Sequence, residues 1–491
     1  MYHDNKVCQD CLGGHFSRCI NKKCICGSFY KNRRGIRNDT DMKKIKYVIL
    51  SGIITAFICV FLLFTTAYIP QSAIQKQMKE SAEYYSEHLL FDRVTPFSFL
   101  SRQDNYADCI LTNIIYHIDS ENILTSVLSA SYYNPDGEEV NESFFDAVNN
   151  SADVSGNDKV VPDVDYSRYW HGSMVILRPL FMFFDIRMIR MILGIMILLL
   201  TVWFLYLLIR EKYHFFACCY VVGLISVSAW MCGFCVEYTM PFLVMAVELP
   251  VLFLLMTGKV NDEKDEYQEK ILWCVLAASG IVTAFLDFLT AETLTFTAAY
   301  MLYLVMRNKR GQIRGFKKEC VRMIKSGGVW GIAYTLMFFL KWIMACIFLG
   351  KDAFMDALRQ AAFRMNGDAT LGNVTGAETV SDSERIFGAL WRNFACLLPF
   401  RDSMKVQTTV IALVVTVVVA FCIWYLFRTK KVNDINRLFG ILAIIPVGRF
   451  IALNNHSYIH FFFTYRALLV TVVALVYVLG GYMISWKNKM K

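Results

Sequence analysis

Ten apolar runs constrain this chain more than any other feature. They fall at 47–68, 188–209, 215–236, 239–257, 271–286, 291–306, 326–349, 408–427, 438–453 and 467–485. A helix of about 20 apolar residues crosses a bilayer core, and most of these runs approach or reach that length. The expected fold is therefore an all-α polytopic membrane protein of about ten transmembrane helices, with a large mixed extracytoplasmic loop after the first span. Composition agrees. Hydrophobic residues make up 56% and charged residues 19% of the chain, against about 45–50% and about 25% in soluble domains. That balance excludes a disordered chain and argues against a purely soluble enzyme. Ser173–Phe184 is apolar but too short to span, and Arg178-Pro179 sits in its middle. It reads as an interfacial or re-entrant helix.

Charge sets the expected orientation. With the N-terminus in the cytoplasm, the inside segments hold 31 Lys and Arg and the longer outside segments 16. The stretch 307–325 (RNKRGQIRGFKKECVRMIK) is the strongest inside marker. Both termini are then cytoplasmic, in a multi-pass plasma-membrane protein. The expected parts are a basic Cys-rich arm at 1–46, an uncleaved first anchor at 47–68 and an extracytoplasmic loop at 69–187. Helices two to seven follow at 188–349, a second outer loop at 350–407 and helices eight to ten at 408–491. The net charge of +9 conceals two unlike faces, because loop 69–187 holds 18 acidic against 8 basic residues. The basic excess is a topology signal and a contact with anionic membrane lipids, not a nucleic-acid footprint.

A loop of this size inserted into a helical bundle points to function. It opens with an amphipathic stretch, Gln71–Leu90, and contains Arg102-Gln103-Asp104-Asn105-Tyr106-Ala107-Asp108. It closes with Tyr166-Ser167-Arg168-Tyr169-Trp170-His171. Tyr169 and Trp170 suit an aromatic belt at the membrane surface, which accounts less well for Arg168 and His171. Loop 350–407 carries Arg364, Arg385, Arg392 and Arg401 and reads as short helices lying on the membrane. The last outer segment (NNHSYIHFFFTYR) holds His456 and His460 four residues apart. The pair is better suited to donating hydrogen bonds to a phosphate or sugar than to binding a metal without a third ligand. Asp287 and Glu292 stand at the outer rim. Glu248, Lys341 and Arg449 lie in spans, where ionisable groups default to paired or functional roles, and Glu248 with Lys341 is one such expected pair.

Many spans, a first outer loop of 119 residues bearing Asp104, and the interfacial stretch Ser173–Phe184 together resemble the GT-C-type membrane glycosyltransferases. The likeness is architectural and covers most of 43–491. It implies an inverting transfer from a polyprenyl-phosphate-linked sugar to a glycan or lipid acceptor at the outer surface. Asp104 would be the general base, with Asp108 in reserve. Arg168, His171, Arg178 and Arg466 would stabilise the leaving phosphate, and Asp287, His456 and His460 would complete the substrate site. The family often shows an adjacent acidic pair, whereas here Asn105 follows Asp104, so no catalytic metal or cofactor is expected. The plain structural role for Asp104 is to cap the helix that follows. If the resemblance holds, Asp104, His171, Arg178, Asp287 and the 456–466 segment converge on one cavity.

Cys8, Cys11, Cys19, Cys24 and Cys26 crowd the N-terminal arm. In a reducing compartment such spacing suits a small structural zinc site before disulfides. Met42-Lys43-Lys44 is also a plausible protein start directly before the first span. Cys109 and Cys396 are candidates for a bridge across the outer loops. The competing functions are a transporter or flippase, a surface-polysaccharide polymerase or ligase, and a scaffold acting through the Cys-rich arm. Pro241, Pro250 and Pro446 interrupt spans as transporter helices do, but the sequence shows no internal repeat.

Overall fold

A computed structural model describes residues 25–92, 102–135, 138–153, 160–257, 264–287, 289–350, 352–366, 380–397 and 433–490, with a few isolated positions between them. The chain divides into two compact units, Met1–Leu50 and Ser51–Lys491. In the first, the described residues are helical from Ile25. Cys8, Cys11, Cys19 and Cys24 lie outside the described residues, and the side chain of Cys26 is not among those described. The zinc expectation falls there.

Among the described residues the protein is all-helical, and seven helices there are long and apolar enough to cross a membrane. These are Lys44–Ala67, Ile186–Arg210, Val236–Thr257, Asp265–Leu286, Phe316–Leu349, Asp434–Ala452 and Phe461–Tyr482. This marks an integral membrane protein. Among the described residues β pairing is limited to one isolated bridge, Tyr132 to Val164. Ile186–Arg210 turns Leu198, Leu199 and Val202 outward, as lipid-facing positions do. Val236–Thr257 is buried along most of its length despite Pro241 and Pro250, and neighbouring helices supply the packing that makes those prolines tolerable. Lys264–Leu286 packs on Phe316–Leu349. A Cβ added at Gly280 would meet the Trp330 carbonyl oxygen at 2.6 Å, the close backbone approach that small residues allow between membrane helices.

One end of the bundle is tied by charge. Arg307 pairs with Asp265 and, at 3.2 Å, with Glu319, which also binds Arg322 at 2.7 Å. Lys309 donates to the Glu211 carbonyl, and Arg310 donates to the Met256 carbonyl at 2.6 Å. These bonds gather the ends of five helices. The other end of Val236–Thr257 meets the long inserted loop, which is itself largely helical: Gln71–Ser86, Asn105–Tyr116, Ile123–Ser129, Val140–Asp153 and Met174–Leu180.

Several expectations are changed. The run 215–236 is not one spanning helix. It is a 13-residue helix, His214–Ser226, followed by Ser228 at φ 51° and a 3-10 turn, Ala229–Phe234. At about 1.5 Å per residue the helix reaches only about 20 Å. The run 291–306 becomes the 17-residue buried helix Thr293–Lys309, and most of 408–427 lies outside the described residues. Trp170 is buried and donates to the Met337 carbonyl at 2.7 Å, so neither it nor the buried Tyr169 forms a surface belt. Met174–Leu180 turns Met174, Leu177 and Arg178 into the protein. Just before it, Gly172 N donates to the Phe285 carbonyl at 2.9 Å.

Glu248 and Lys341 do not pair. Lys341 Nζ donates to the carbonyls of Val127 and Leu128 at 3.0 and 2.9 Å, which satisfies the last turn of Ile123–Ser129. Arg449 instead pairs with Glu292 at 2.9 Å. Cys109 and Cys396 are both free thiols, bonded to the carbonyls of Val140 and Phe461 respectively.

Candidate functional site

Helix Asn105–Tyr116 positions the site. Asp104 is its N-cap, accepting the Ala107 N–H at 3.0 Å on Oδ1. Asp108 lies one turn on and is fully buried. Its carboxylate takes Arg190 at 2.7 Å and the Val236 N–H at 3.0 Å, with the Glu237 N–H at 3.3 Å. It therefore fills the N-terminus of Val236–Thr257 with an internal anion. A group so fully engaged is not available as a base, and the reserve role expected for Asp108 does not fit its place.

Asp104 lines a cavity of about 290 Å³. The inserted loop contributes Phe91, Asp104, Tyr106, Ile110, Leu111, Ile114, Tyr166, Tyr169 and His171. The long helix Val236–Thr257 contributes Glu237, helix Ala353–Asn366 contributes Arg364, and 456–463 contributes His456, Ile459, His460, Phe462 and Phe463. Two carboxyls, one guanidinium and three imidazoles thus share a space whose remaining walls are aliphatic and aromatic.

Burial governs the titration of these groups. It lifts the Asp104 carboxyl to about 7, helped by the charge of Asp108 and opposed by the Ala107 N–H; the Tyr238 hydroxyl is a further donor to it. Burial likewise lowers His171 to about 3 and His460 to about 4, and takes His456 well below its ordinary value, so all three are neutral. His456 Nε2 lies 3.0 Å from the Leu289 carbonyl. A neutral ring must donate there, which leaves Nδ1 as an acceptor. His456 therefore does not fit the expected role of donor to a phosphate. His460 stacks on Phe463, with centroids 5.0 Å apart. His171 sits at φ 52°, a conformation uncommon outside glycine and favoured at functional positions.

Arg364 carries no local sequence signal that marks it as a site residue. Its guanidinium lies over the Tyr169 ring at 5.4 Å, and among the described residues no carboxylate stands within ion-pair distance. It is the cavity's available cation. The cations that were expected there have other work. Arg178 is wholly buried and donates to the carbonyls of Ile69, Ile115 and Ile118. Burial lowers it to about 10, and it staples the loop rather than facing the cavity. Arg168 pairs with Asp356 at 3.8 Å and covers the Tyr166 ring at 4.2 Å. Arg466 is buried behind the cavity, over the Tyr238 ring at 4.1 Å and bonded to the Phe462 carbonyl at 3.0 Å.

Asp287 caps the turn at Thr290 through its Oδ1, outside the cavity lining, and burial raises it to about 7. The cavity thus brings together Asp104, His171, His456 and His460, but not Arg178, Arg168, Asp287 or Arg466. Glu237, Arg364 and Tyr106 join it from positions whose convergence no local pattern encodes. Among the described residues no three His, Cys, Asp or Glu side chains cluster as metal ligands. No family model, curated protein or solved structure matches this chain.

Proposed function

We propose that this protein is a membrane glycosyltransferase that moves a sugar from a polyprenyl-phosphate donor to a glycan or lipid acceptor. The observation that carries this reading is the pairing, within one cavity, of a buried carboxyl raised to about 7, Asp104, with an available guanidinium, Arg364. A base with a pKa near the working pH combines availability with proton affinity. In the proposed step Asp104 takes the proton of an acceptor hydroxyl, and the hydroxyl oxygen forms a bond to the anomeric carbon. The bond from that carbon to the phosphate oxygen breaks on the opposite face, and its electron pair leaves with the phosphate. Arg364 balances the charge that develops there, and the N–H of neutral His460 is a second donor. Ile110, Ile114, Ile459 and Phe463 provide the apolar lining for the lipid end.

The same reading takes about ten crossings, both termini in the cytoplasm, and the cavity on the outer face of the plasma membrane. It is supported by the cation-rich end at Arg307, Lys309, Arg310 and Arg322, which suits the inside. A transporter or flippase is favoured by one observation, the break at Ser228 between His214–Ser226 and Val236–Thr257. In transporters such a helix N-terminus receives the substrate, whereas here Asp108 already occupies it.

The test uses two substitutions at one position. Asn caps helices as well as Asp, while Ala costs about 0.5–2 kcal/mol. Asp104→Asn should keep the protein's level and lose nothing in melting temperature, yet abolish incorporation of one sugar into the surface glycan. Asp104→Ala should lose both activity and some stability. An unchanged glycan in Asp104→Asn cells leaves Asp104 a helix cap only and ends the proposal.

A further inference from the structure

We infer that the mouth of the cavity is a subsite for a neutral pyranose ring seated on Tyr106, which deepens the transferase reading by making the acceptor a carbohydrate. Tyr106 is 45% exposed although it lies in the first turn of a helix otherwise turned inward. Its ring is stacked with Phe91, with centroids 6.4 Å apart and planes at 24°. Phe91 is itself 36% exposed and packs edge-on against Phe462. The two part-exposed rings stand side by side and form one apolar surface at the cavity.

The platform is held firmly. Gln103 N donates to the Asp92 carbonyl at 2.8 Å, Asn105 N to the Leu90 carbonyl at 2.9 Å, and Asn105 Nδ2 to the Leu89 carbonyl at 2.7 Å. These bonds fix the segment bearing Phe91 against the start of the helix bearing Tyr106. A preformed surface needs little ordering when it binds.

Its chemistry selects the ligand. A pyranose offers an apolar face of axial C–H bonds and a rim of hydroxyls. Tyr106 and Phe91 meet the face, and the phenol oxygens of Tyr106 and Tyr166 meet the rim. Asp104 and Glu237 line the same cavity, and a carboxyl group meets neighbouring hydroxyls as an acceptor, or as donor and acceptor when it holds its proton. Ionised Asp104 disfavours a carboxylated or sulfated ring, since Arg364, the cavity's available cation, is allotted to the donor phosphate. Tyr106 stands two residues from Asp104, so a ring on this platform presents its hydroxyls to the proposed base.

The test measures binding without turnover. Full-length protein in nanodiscs would be titrated on an array of immobilised neutral oligosaccharides of hexoses and deoxyhexoses, beside uronic-acid and sulfated counterparts. Wild-type protein supplied with no lipid-linked donor should bind at least one neutral glycan and its charged counterpart more weakly, and Asp104→Asn should keep the neutral binding while losing that preference. Tyr106→Ala should weaken that binding about tenfold, the scale of losing an aromatic contact, and Tyr106→Phe should keep most of it. Binding that survives in Asp104→Asn without any transfer by the wild type would overturn the transferase reading and leave this subsite standing. No neutral glycan bound, equal binding of the charged ones, or binding indifferent to Tyr106→Ala would overturn the subsite.

Discussion

Asp108 and Arg190 meet at 2.7 Å with almost no solvent reaching either side chain. The pair joins the inserted loop to helix Ile186–Arg210, and through the Val236 N–H it also holds the helix that carries Glu237. Removing one partner of a buried ion pair costs about 3–5 kcal/mol, because the other charge stays buried and unpaired. Arg190→Met should therefore lower the melting temperature in detergent and the level of folded protein, and Asp108→Asn should do the same. Asp104→Asn should do neither. Equal stability of all three proteins would contradict the division of labour between the two aspartates.

Gly172 tests how tightly the loop's closing segment is held. A Cβ there would stand 2.4 Å from the Phe285 carbonyl oxygen and as close to the Phe285 ring. Backbone cannot yield as a flexible side chain does. Gly172→Ala should destabilise by about 1–3 kcal/mol, the usual cost of overpacking, read as a drop in melting temperature. Because His171 precedes it and lines the cavity, substrate binding should weaken as well. An unaltered melt would mean that the segment from Gly172 to Leu180 moves freely away from Phe285.

Much of this fold was legible in the sequence, for a physical reason. The need to match apolar residues to lipid acts along the chain, so the helices at Ile186–Arg210 and Phe316–Leu349 announce themselves locally. So does the cap at Asp104, a matter of three residues. What stayed hidden depends on distant partners. Nothing near Ser228 shows that 215–236 breaks, because the break follows from the position at which Val236 must meet Asp108. Arg178 and Arg364 look alike in sequence, as single arginines between the long apolar runs. Only folding shows that the first is spent on three carbonyls while the second faces the cavity.

Arg364 should govern the donor rather than the acceptor. A hydrogen bond to a charged group contributes about 1.5–3 kcal/mol, so Arg364→Ala should raise the KM for the lipid-linked donor roughly tenfold to a hundredfold. Arg364→Lys should recover part of the loss, since it keeps the charge but not the planar fork. The melting temperature should change little, because among the described residues no acidic partner is left behind. A KM effect confined to the acceptor would place Arg364 at the wrong pole of the cavity.

The three imidazoles make the cavity acid-sensitive. His171, His456 and His460 are all held below their ordinary 6.5 by burial, two of them at about 3 and about 4. A base lowered in the folded state leaves more protons on the unfolded chain. The stability these groups contribute is present above about 6.5 and is lost as pH falls towards 4 and below. Melting temperature should fall over that window. His460→Gln, which keeps a polar side chain without the titration, should make the fall shallower. An identical pH slope in wild type and variant would remove His460 from the account.

Asp104 gives the opposite sign, and that separates its effect from the histidines. Its carboxyl is raised from 3.8 to about 7, so the folded state holds a proton that the unfolded chain gives up. The stability linked to that proton is present below about pH 4 and is lost as pH rises through about 7. Asp104→Asn abolishes the term, so its melting temperature should gain on the wild type steadily between pH 4 and 7. Activity should run the other way. A general base works only when deprotonated, so kcat/KM of the wild type should climb with pH and level off above about 7. Activity already constant from pH 5 upwards would show that the proton leaves Asp104 far more easily than its burial implies, and would remove it as the titrating base.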